Sequence, residues 1–391
     1  MTDEDIAAVT ELLKSDWLTC GPAGPAFEND LAAQVGAEDA VTCANGTAAL
    51  HLALLALEIG PGDVVITTPI SFLATANCAR YVGAEVRFAD IDADTGLIRP
   101  ESIEWILQSE NGGRVKAVIP VHLAGHPVDM LKIHALCQKH GIYLIEDACH
   151  ALGGSYQDEN KNVKVGSCRH SDMTVFSFHP VKHVATGEGG AVTTNQSELA
   201  RRLRLLRNHG MEREQFIDSD LAYDTNGRPN PWYYEMTELG FNYRLSDIQS
   251  VLGQSQLKRL DTSVARRQEI ARLYDKLITD HFDTDLVRPL RQNDNCSNAY
   301  HLYVTLINFE QYGTERASVM NRLSQAGIGT QVHYIPIFFQ PYYRAQALTA
   351  VRDCPESLKY YEQALSLPMY PGLTDADITF VVEQLAEVLK K

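Results

Sequence analysis

Six short stretches of this chain, 63–68, 85–89, 116–121, 142–146, 174–178 and 190–194, are rich in apolar and β-branched residues. Several lack the apolar–polar alternation of a strand with one wet face. Such runs suit strands buried on both faces of a mostly parallel sheet. Helical patterns lie between several of them, notably Met130–His140, which Gly141 ends. This rhythm confines the first two-thirds of the chain to an α/β, three-layer domain. The segment 47–57 is apolar nearly all round, which predicts a buried helix. Another helical stretch spans 246–260. It continues as the stripe Ile270, Leu273, Tyr274, Leu277, Ile278 of an amphipathic helix. After about residue 280 the texture changes to a smaller α+β unit. That unit has a strand-like run at 300–307 and a final helix ending in Lys390-Lys391. The expected organisation is a large unit, 1–260, and a small C-terminal one, 261–391.

With 391 residues, of which 45% are hydrophobic and 21% charged, the chain can bury a large core. It is neither disordered nor collagen-like nor a disulfide miniprotein. Lys and Arg total 34 against 50 Asp and Glu, a net charge of −16. That balance argues against general nucleic-acid binding, which needs a cationic surface, but leaves room for a small anion held by local donors. No apolar run is long enough for a membrane helix, and the acidic start Met1-Thr2-Asp3-Glu4-Asp5-Ile6 predicts no signal peptide. The cysteines Cys20, Cys43, Cys78, Cys137, Cys149, Cys168, Cys296 and Cys354 are scattered without a CxxC, which predicts a reduced, cytoplasmic protein. Cys149-His150 and Cys168-Arg169-His170 match no zinc spacing, so no metal is expected.

The richest stretch runs from Ser177-Phe178-His179-Pro180-Val181-Lys182 to Gly187-Glu188-Gly189-Gly190, directly after a predicted buried strand. A lysine there is either an exposed loop residue or a partly desolvated amine with a lowered pKa, which makes a good imine-forming nucleophile. Asp147 directly follows the predicted strand 142–146, at the end where α/β sheets open their ligand crevice; it could equally cap a helix. Asn45-Gly46-Thr47 precedes a buried helix, and free N–H groups with a close-approach glycine make an anion site. Phe72 follows another strand end and either stacks on a ring or packs in the core. An amine, a carboxylate, an anion cradle and an aromatic face form one set. That set fits pyridoxal 5′-phosphate (PLP).

Longer motifs carry a resemblance. They are Trp17-Leu18-Thr19 with Gly21-Pro22, Asn45 to Leu50, Pro120-Val121-His122-Leu123-Ala124-Gly125-His126, Glu146-Asp147-Ala148, Ser177 to Lys182, Gly240-Phe241-Asn242-Tyr243-Arg244, and Gln331-Val332-His333-Tyr334. Over nearly its whole length the chain resembles the DegT/DnrJ/EryC1 group of PLP-dependent sugar-nucleotide aminotransferases. Within the group it looks most like the branch of pseudaminic acid biosynthesis. The resemblance implies an aspartate-aminotransferase-like fold (PLP fold type I). It implies a homodimer with shared active sites, L-glutamate as donor (leaving as 2-oxoglutarate) and a UDP-linked 4-keto sugar as acceptor.

By the same resemblance, Lys182 would hold PLP and shuttle protons, and Asp147 would pair with the pyridine nitrogen. Ser177, Gly46 and Thr47 would take the phosphate, and Phe72 would cover the ring. His150 would touch the 3-oxygen, and Asn242 would reach the neighbouring subunit's phosphate. Thr19, Cys20, His179, Gln331, His333 and Tyr334 would contact the sugar nucleotide. Related dehydratases usually carry His at the lysine position, so Lys182 argues against dehydration. A nicotinamide dehydrogenase is disfavoured because no GxGxxG follows a strand. The irregular stretch 215–238, with Arg228, Trp232, Tyr233 and Tyr234, is expected to bear on specificity.

Overall fold

A computed structural model of the chain describes residues 1–109, 112–346 and 353–390. The strands in chain order begin with β1 (Asp39–Cys43), β2 (Val64–Thr67), β3 (Glu85–Phe88), β4 (Val115–Ile119) and β5 (Tyr143–Asp147). A hairpin, β6 (Ser155–Asp158) and β7 (Lys161–Lys164), precedes β8 (Met173–Ser177) and β9 (Gly190–Thr194). Seven of them form one sheet in the order β1-β9-β8-β5-β4-β2-β3. All six apolar runs of the sequence lie in it, and β1 joins them at the edge through antiparallel pairing with β9.

The apolar runs follow from two-sided burial. Val64, Ile66, Val118 and Phe176 point into one core cluster. Their neighbours Val65, Ala117, Ile119 and Val175 point into a second one. Helices cover both faces, and the helix Gly46–Ala56 is buried along almost its whole length. The pairs β2–β3, β2–β4, β4–β5 and β5–β8 are parallel, while β9 runs antiparallel to both β8 and β1. Antiparallel neighbours need no crossover helix. The β8–β9 connection is therefore free to be a loop, and that loop carries Lys182.

The stretch 246–260 is not one helix. Asp247–Leu257, started by a Ser246 capping box, gives way to the helix Leu260–His281. At the turn between them Arg259 donates two hydrogen bonds, of 2.9 and 2.8 Å, to the buried carboxylate of Asp5. The second helix then feeds two cores. Leu260 and Val264 join the first cluster, whereas Ile270, Tyr274 and Ile278 pack into a third with Val319, Leu323, Val382 and Leu385. In the C-terminal part a three-stranded sheet sits among helices. β10 (Met211–Glu212) pairs with β11 (Glu235–Met236), and the remaining strands are β12 (Val287–Pro289), β13 (Cys296–Ser297), β14 (Tyr303–Ile307) and β15 (Ala364–Leu367), with the sheet order β12-β14-β15. The run 300–307 begins as strand only at Tyr303, because Tyr300 adopts φ +48°. The last helix, Asp375–Leu389, has Lys390 as its cap; Lys391 lies outside the described residues. Among the described residues no helix is long and apolar enough to cross a membrane.

Buried imidazoles make the fold acid-sensitive. His126 accepts a hydrogen bond from the Asn293 N–H at 3.0 Å on Nε2, and burial lowers its pKa to about 4. His183 donates from Nε2 to the Ala299 carbonyl at 2.8 Å, and burial lowers its pKa to about 3. Below the unfolded-chain value of about 6.5 the unfolded state takes up protons that the folded state refuses, so stability falls with pH. The two groups together are expected to cost about 3 kcal/mol between roughly pH 6.5 and 5. Urea midpoints of the cofactor-free chain across that range test this. His126→Gln should remove about 1.5 kcal/mol of the loss over that range, and an unchanged slope refutes the assignment.

Candidate active site

β5 and β8 end side by side in Asp147 and Ser177, and a cavity of about 570 Å³ opens beyond them. Its lining includes Gly46, Thr47, Asp147, Ser177 and Lys182, residues from three separate parts of the chain. This is the crevice at the carboxyl ends of strands expected of an open α/β sheet.

Asp147 is the last residue of β5 and is 4% exposed. Its backbone is held on both sides, donating to the Pro120 carbonyl at 2.9 Å and accepting from the His122 N–H at 3.1 Å. Oδ2 accepts a 2.6 Å hydrogen bond from the Thr75 hydroxyl, which lies 2.8 Å from that of Ser71. Oδ1 accepts from the Cys149 N–H at 3.2 Å. The carboxylate thus braces the local turn and also lines the cavity. Behind it, Glu146 accepts from Ser171 at 2.5 Å and from Thr174 at 2.8 Å. His122 takes the Val128 N–H on Nδ1 at 3.1 Å, so its Nε2 carries the proton and donates to Glu146 at 2.9 Å. Burial raises the Glu146 pKa, but these donors outweigh it and hold the group below its ordinary value.

Lys182 sits in the β8–β9 loop, whose base is closed by Phe178 N–H to Gly189 O (2.8 Å) and Thr186 N–H to Phe178 O (2.9 Å). The side chain is turned inward. Burial lowers its pKa, and the nearby Cys149 and Asp147 only partly counter that. Nζ lies 3.5 Å from Nε2 of His301. The exposed-loop reading of this lysine is therefore excluded.

The helix Gly46–Ala56 begins at the cavity, with the Asn45 side chain accepting from the Ala48 N–H at 2.8 Å. A Cβ at Gly46 would lie 2.9 Å from Ser177 Cβ and 3.4 Å from Cys149 Sγ, and one at Gly190 would lie 2.5 Å from the Asn45 carbonyl. Both glycines therefore let β9, the helix start and Ser177 close together. The first-turn N–H groups, with the Thr47 and Ser177 hydroxyls, form a small anion cradle.

Phe72 is 59% exposed at the cavity mouth, so it does not pack in the core; its ring centroid is 6.4 Å from that of Tyr334. The Tyr334 hydroxyl meets His150 Nε2 at 3.2 Å, while the buried His150 Nδ1 has no partner. Burial holds His150 well below the ordinary histidine range, and burial together with Lys182 lowers His333 to about 4. His179 and His333 also line the cavity.

Four expected residues lie outside the lining of this chain's cavity. Asn242 is exposed and bridges through its backbone to Asn208. Thr19 and Cys20 lie on the surface, with Cys20 at the edge of a separate arginine-lined hollow. Gln331 folds its side chain onto the N–H of Val332 at 2.8 Å. The structure adds Ser71, Thr75, Cys149, Glu188 and His301, which the sequence reading had not placed in the site. Thr75 stands three residues beyond Phe72, so its helical spacing was a usable signal; His301 gave none. Cys168 is structural, its thiol donating to the Thr193 carbonyl at 3.2 Å. The stretch 215–238 folds on itself, Glu235 accepting from the Ile217 and Asp218 N–H groups at 2.7 Å each.

An inward amine, a braced carboxylate, an orphaned buried imidazole nitrogen and a cradle that a Cβ would fill together fit PLP. Comparison with known proteins agrees. The model of the DegT/DnrJ/EryC1/StrS aminotransferase family matches residues 1–386. The chain is 41% identical over 388 residues to the spore coat polysaccharide biosynthesis protein SpsC of Bacillus subtilis (strain 168), covering 99% of this chain and 95% of that one. PseC of Helicobacter pylori, an aminotransferase involved in the biosynthesis of pseudoaminic acid, is similar with TM-score 0.87 and 32% identity, over 100% of this chain and 97% of that one. Spr1654 of Streptococcus pneumoniae, in its PLP form, matches with TM-score 0.87 at 26% identity, over 100% and 97% of the two chains.

Proposed function

The chain belongs to the DegT/DnrJ/EryC1/StrS aminotransferase family, whose cofactor is PLP and whose reaction aminates a sugar, and from that premise we propose a specific substrate and a role for each site residue. The acceptor is a UDP-linked 4-keto-6-deoxy-2-acetamido-L-arabino-hexose. Its C4 receives the amino group of L-glutamate, giving UDP-4-amino-4,6-dideoxy-N-acetyl-β-L-altrosamine. The observation that carries the reaction type is the convergence of Lys182, Asp147 and the Gly46–Thr47 helix start on one cavity. The likeness to the pseudoaminic acid aminotransferase over the whole chain supports the choice of sugar.

Bound PLP supplies an electron sink that acidifies the C–H bond beside the transferring nitrogen. Lys182 tethers it and, when released, takes the proton from the glutamate α-carbon. In the second half-reaction Lys182 delivers a proton to sugar C4. A lowered pKa suits both duties, because the neutral amine must be available near working pH. Asp147 keeps the ring nitrogen protonated, and Gly46, Thr47 and Ser177 hold the phosphate. Phe72 covers the ring, and His150 touches the 3-oxygen. His179, His333 and Tyr334 meet the sugar nucleotide from within the cavity.

Asn242, Thr19, Cys20 and Gln331 serve a shared site in a homodimer, Asn242 reaching the other subunit's phosphate. Their exposure outside their own chain's cavity supports that arrangement, as do the outward Trp232 and Leu239. Residues 1–260 form the PLP-binding unit and 261–391 the small unit. The compartment is the cytoplasm, in keeping with eight unpaired cysteines among the described residues.

A coupled assay of glutamate-dependent amination tests the substrate on a panel of UDP- and dTDP-4-keto sugars, with NMR of each product. The L-arabino UDP sugar should lead. A preferred sugar elsewhere on the panel overturns the assignment and favours a polysaccharide precursor nearer the Bacillus relative. The cradle has its own test. Gly46→Ala forces a Cβ against Ser177 and should weaken PLP binding at least about tenfold, read by equilibrium dialysis. Unchanged affinity would move the phosphate elsewhere.

A further inference from the structure

We infer that His301 is a positioning residue for Lys182: its imidazole accepts a hydrogen bond from the lysine ammonium and fixes where Nζ stands when the lysine is free to move protons. The inference rests on Lys182 being the proton-moving base.

The placement is built by the backbone. Tyr300 takes φ +48°, with its N–H donating to Asn298 Oδ1 at 2.6 Å. On either side Ala299 donates to the Gly125 carbonyl at 3.0 Å and Leu302 to the Ala124 carbonyl at 3.2 Å. Arg267, itself buried, donates to the carbonyls of Tyr300 at 3.1 Å and His301 at 3.3 Å. Five hydrogen bonds thus pin a kink that turns His301 toward the β8–β9 loop, 119 residues away.

The ring is fixed as firmly. It is 6% exposed, its centroid lies 4.4 Å from that of His150 and 5.7 Å from that of His183, and Nε2 meets Lys182 Nζ at 3.5 Å. The titratable and charged groups around it are Lys182, His150, His183 and Arg267. Burial, together with these neighbours, keeps the imidazole neutral. An ammonium can only donate, so a neutral ring facing it offers the Nε2 lone pair and carries its proton on Nδ1. Nδ1 is buried without a partner, so Lys182 is the only hydrogen-bond partner of this ring among the described residues. Catalytic hydrogen bonds are often this long before substrate binds. A fixed acceptor also favours the charged amine, opposing the lowering by burial.

The test compares wild type, His301→Phe, which keeps a ring in the stack without an acceptor, and His301→Gln, which restores one. In the holoenzyme, loss of deuterium from the α-carbon of labelled glutamate should slow about tenfold or more in His301→Phe, with KM for glutamate within about twofold. His301→Gln should recover a large part. In the cofactor-free full chain, acylation of Lys182 by acetic anhydride, followed by peptide mass spectrometry across pH, should show its midpoint lowered by about one unit in His301→Phe and returned in His301→Gln. If His301→Phe does not fold, His301→Leu enters the same measurements. Washout and acylation that match wild type in a folded variant overturn the inference. A wild-type enzyme that never exchanges the α-deuteron instead overturns the reading of Lys182 on which it stands.

Discussion

Lys182→Ala should abolish turnover, lowering kcat by at least about 10⁴-fold, while the chain stays folded. The side chain lies in a surface-connected loop rather than in any of the three core clusters, so its removal leaves no packing defect comparable to a core truncation. Two functions vanish together: the covalent tether and the group that carries the proton. Borohydride reduction of the wild-type enzyme should fix PLP to the peptide that contains Lys182, and reduction of the variant should fix none. Small primary amines in the buffer should restore a measurable fraction of the α-deuterium washout, since they supply the missing base. Normal turnover in Lys182→Ala would refute the active-site assignment as a whole.

Asp147→Asn should separate holding the cofactor from using it. Asparagine keeps an oxygen for the Thr75 hydroxyl or the Cys149 N–H, so the turn at the end of β5 survives. It loses the negative charge that keeps the ring nitrogen protonated. A preorganised charge inside a dry site acts at full strength at the moment electrons flow toward the ring, and removing one such interaction costs about 10²–10³ in rate. The expected variant binds PLP, retains its visible absorbance and glutamate KM within about threefold, and loses about 10³-fold in kcat. Equal losses of PLP affinity and stability with little change in kcat would instead mark Asp147 as a purely structural brace.

Much of this site was readable because its elements are local. Lys182 follows a strand and precedes a glycine-rich turn, Gly46 opens an apolar helix, and Asp147 ends an apolar run; each signal lies within about a dozen residues. The edge strand β1 and the hairpin β6–β7 were not. In the hairpin, exposed positions such as Lys161, Asn162 and Lys164 dilute the apolar pattern that marks a buried strand, whereas in β1 the polar Asp39 and Thr42 interrupt it. The break at Arg259 was hidden for a different reason. Helical periodicity continues through it, and the bidentate clamp on Asp5 joins residues far apart in the sequence.

The order of residues by itself determined the fold class and the set of chemical groups, because periodicity and turn chemistry act between near neighbours. Which groups meet was decided by the tertiary structure alone. Thr75 touches Asp147 across 72 positions and His301 touches Lys182 across 119, while Gln331 turns its amide onto its own backbone. Such meetings depend on how the strands are ordered in the sheet and where a kinked segment is pinned. No local pattern encodes either, because the energy that selects them comes from burying distant surfaces against one another.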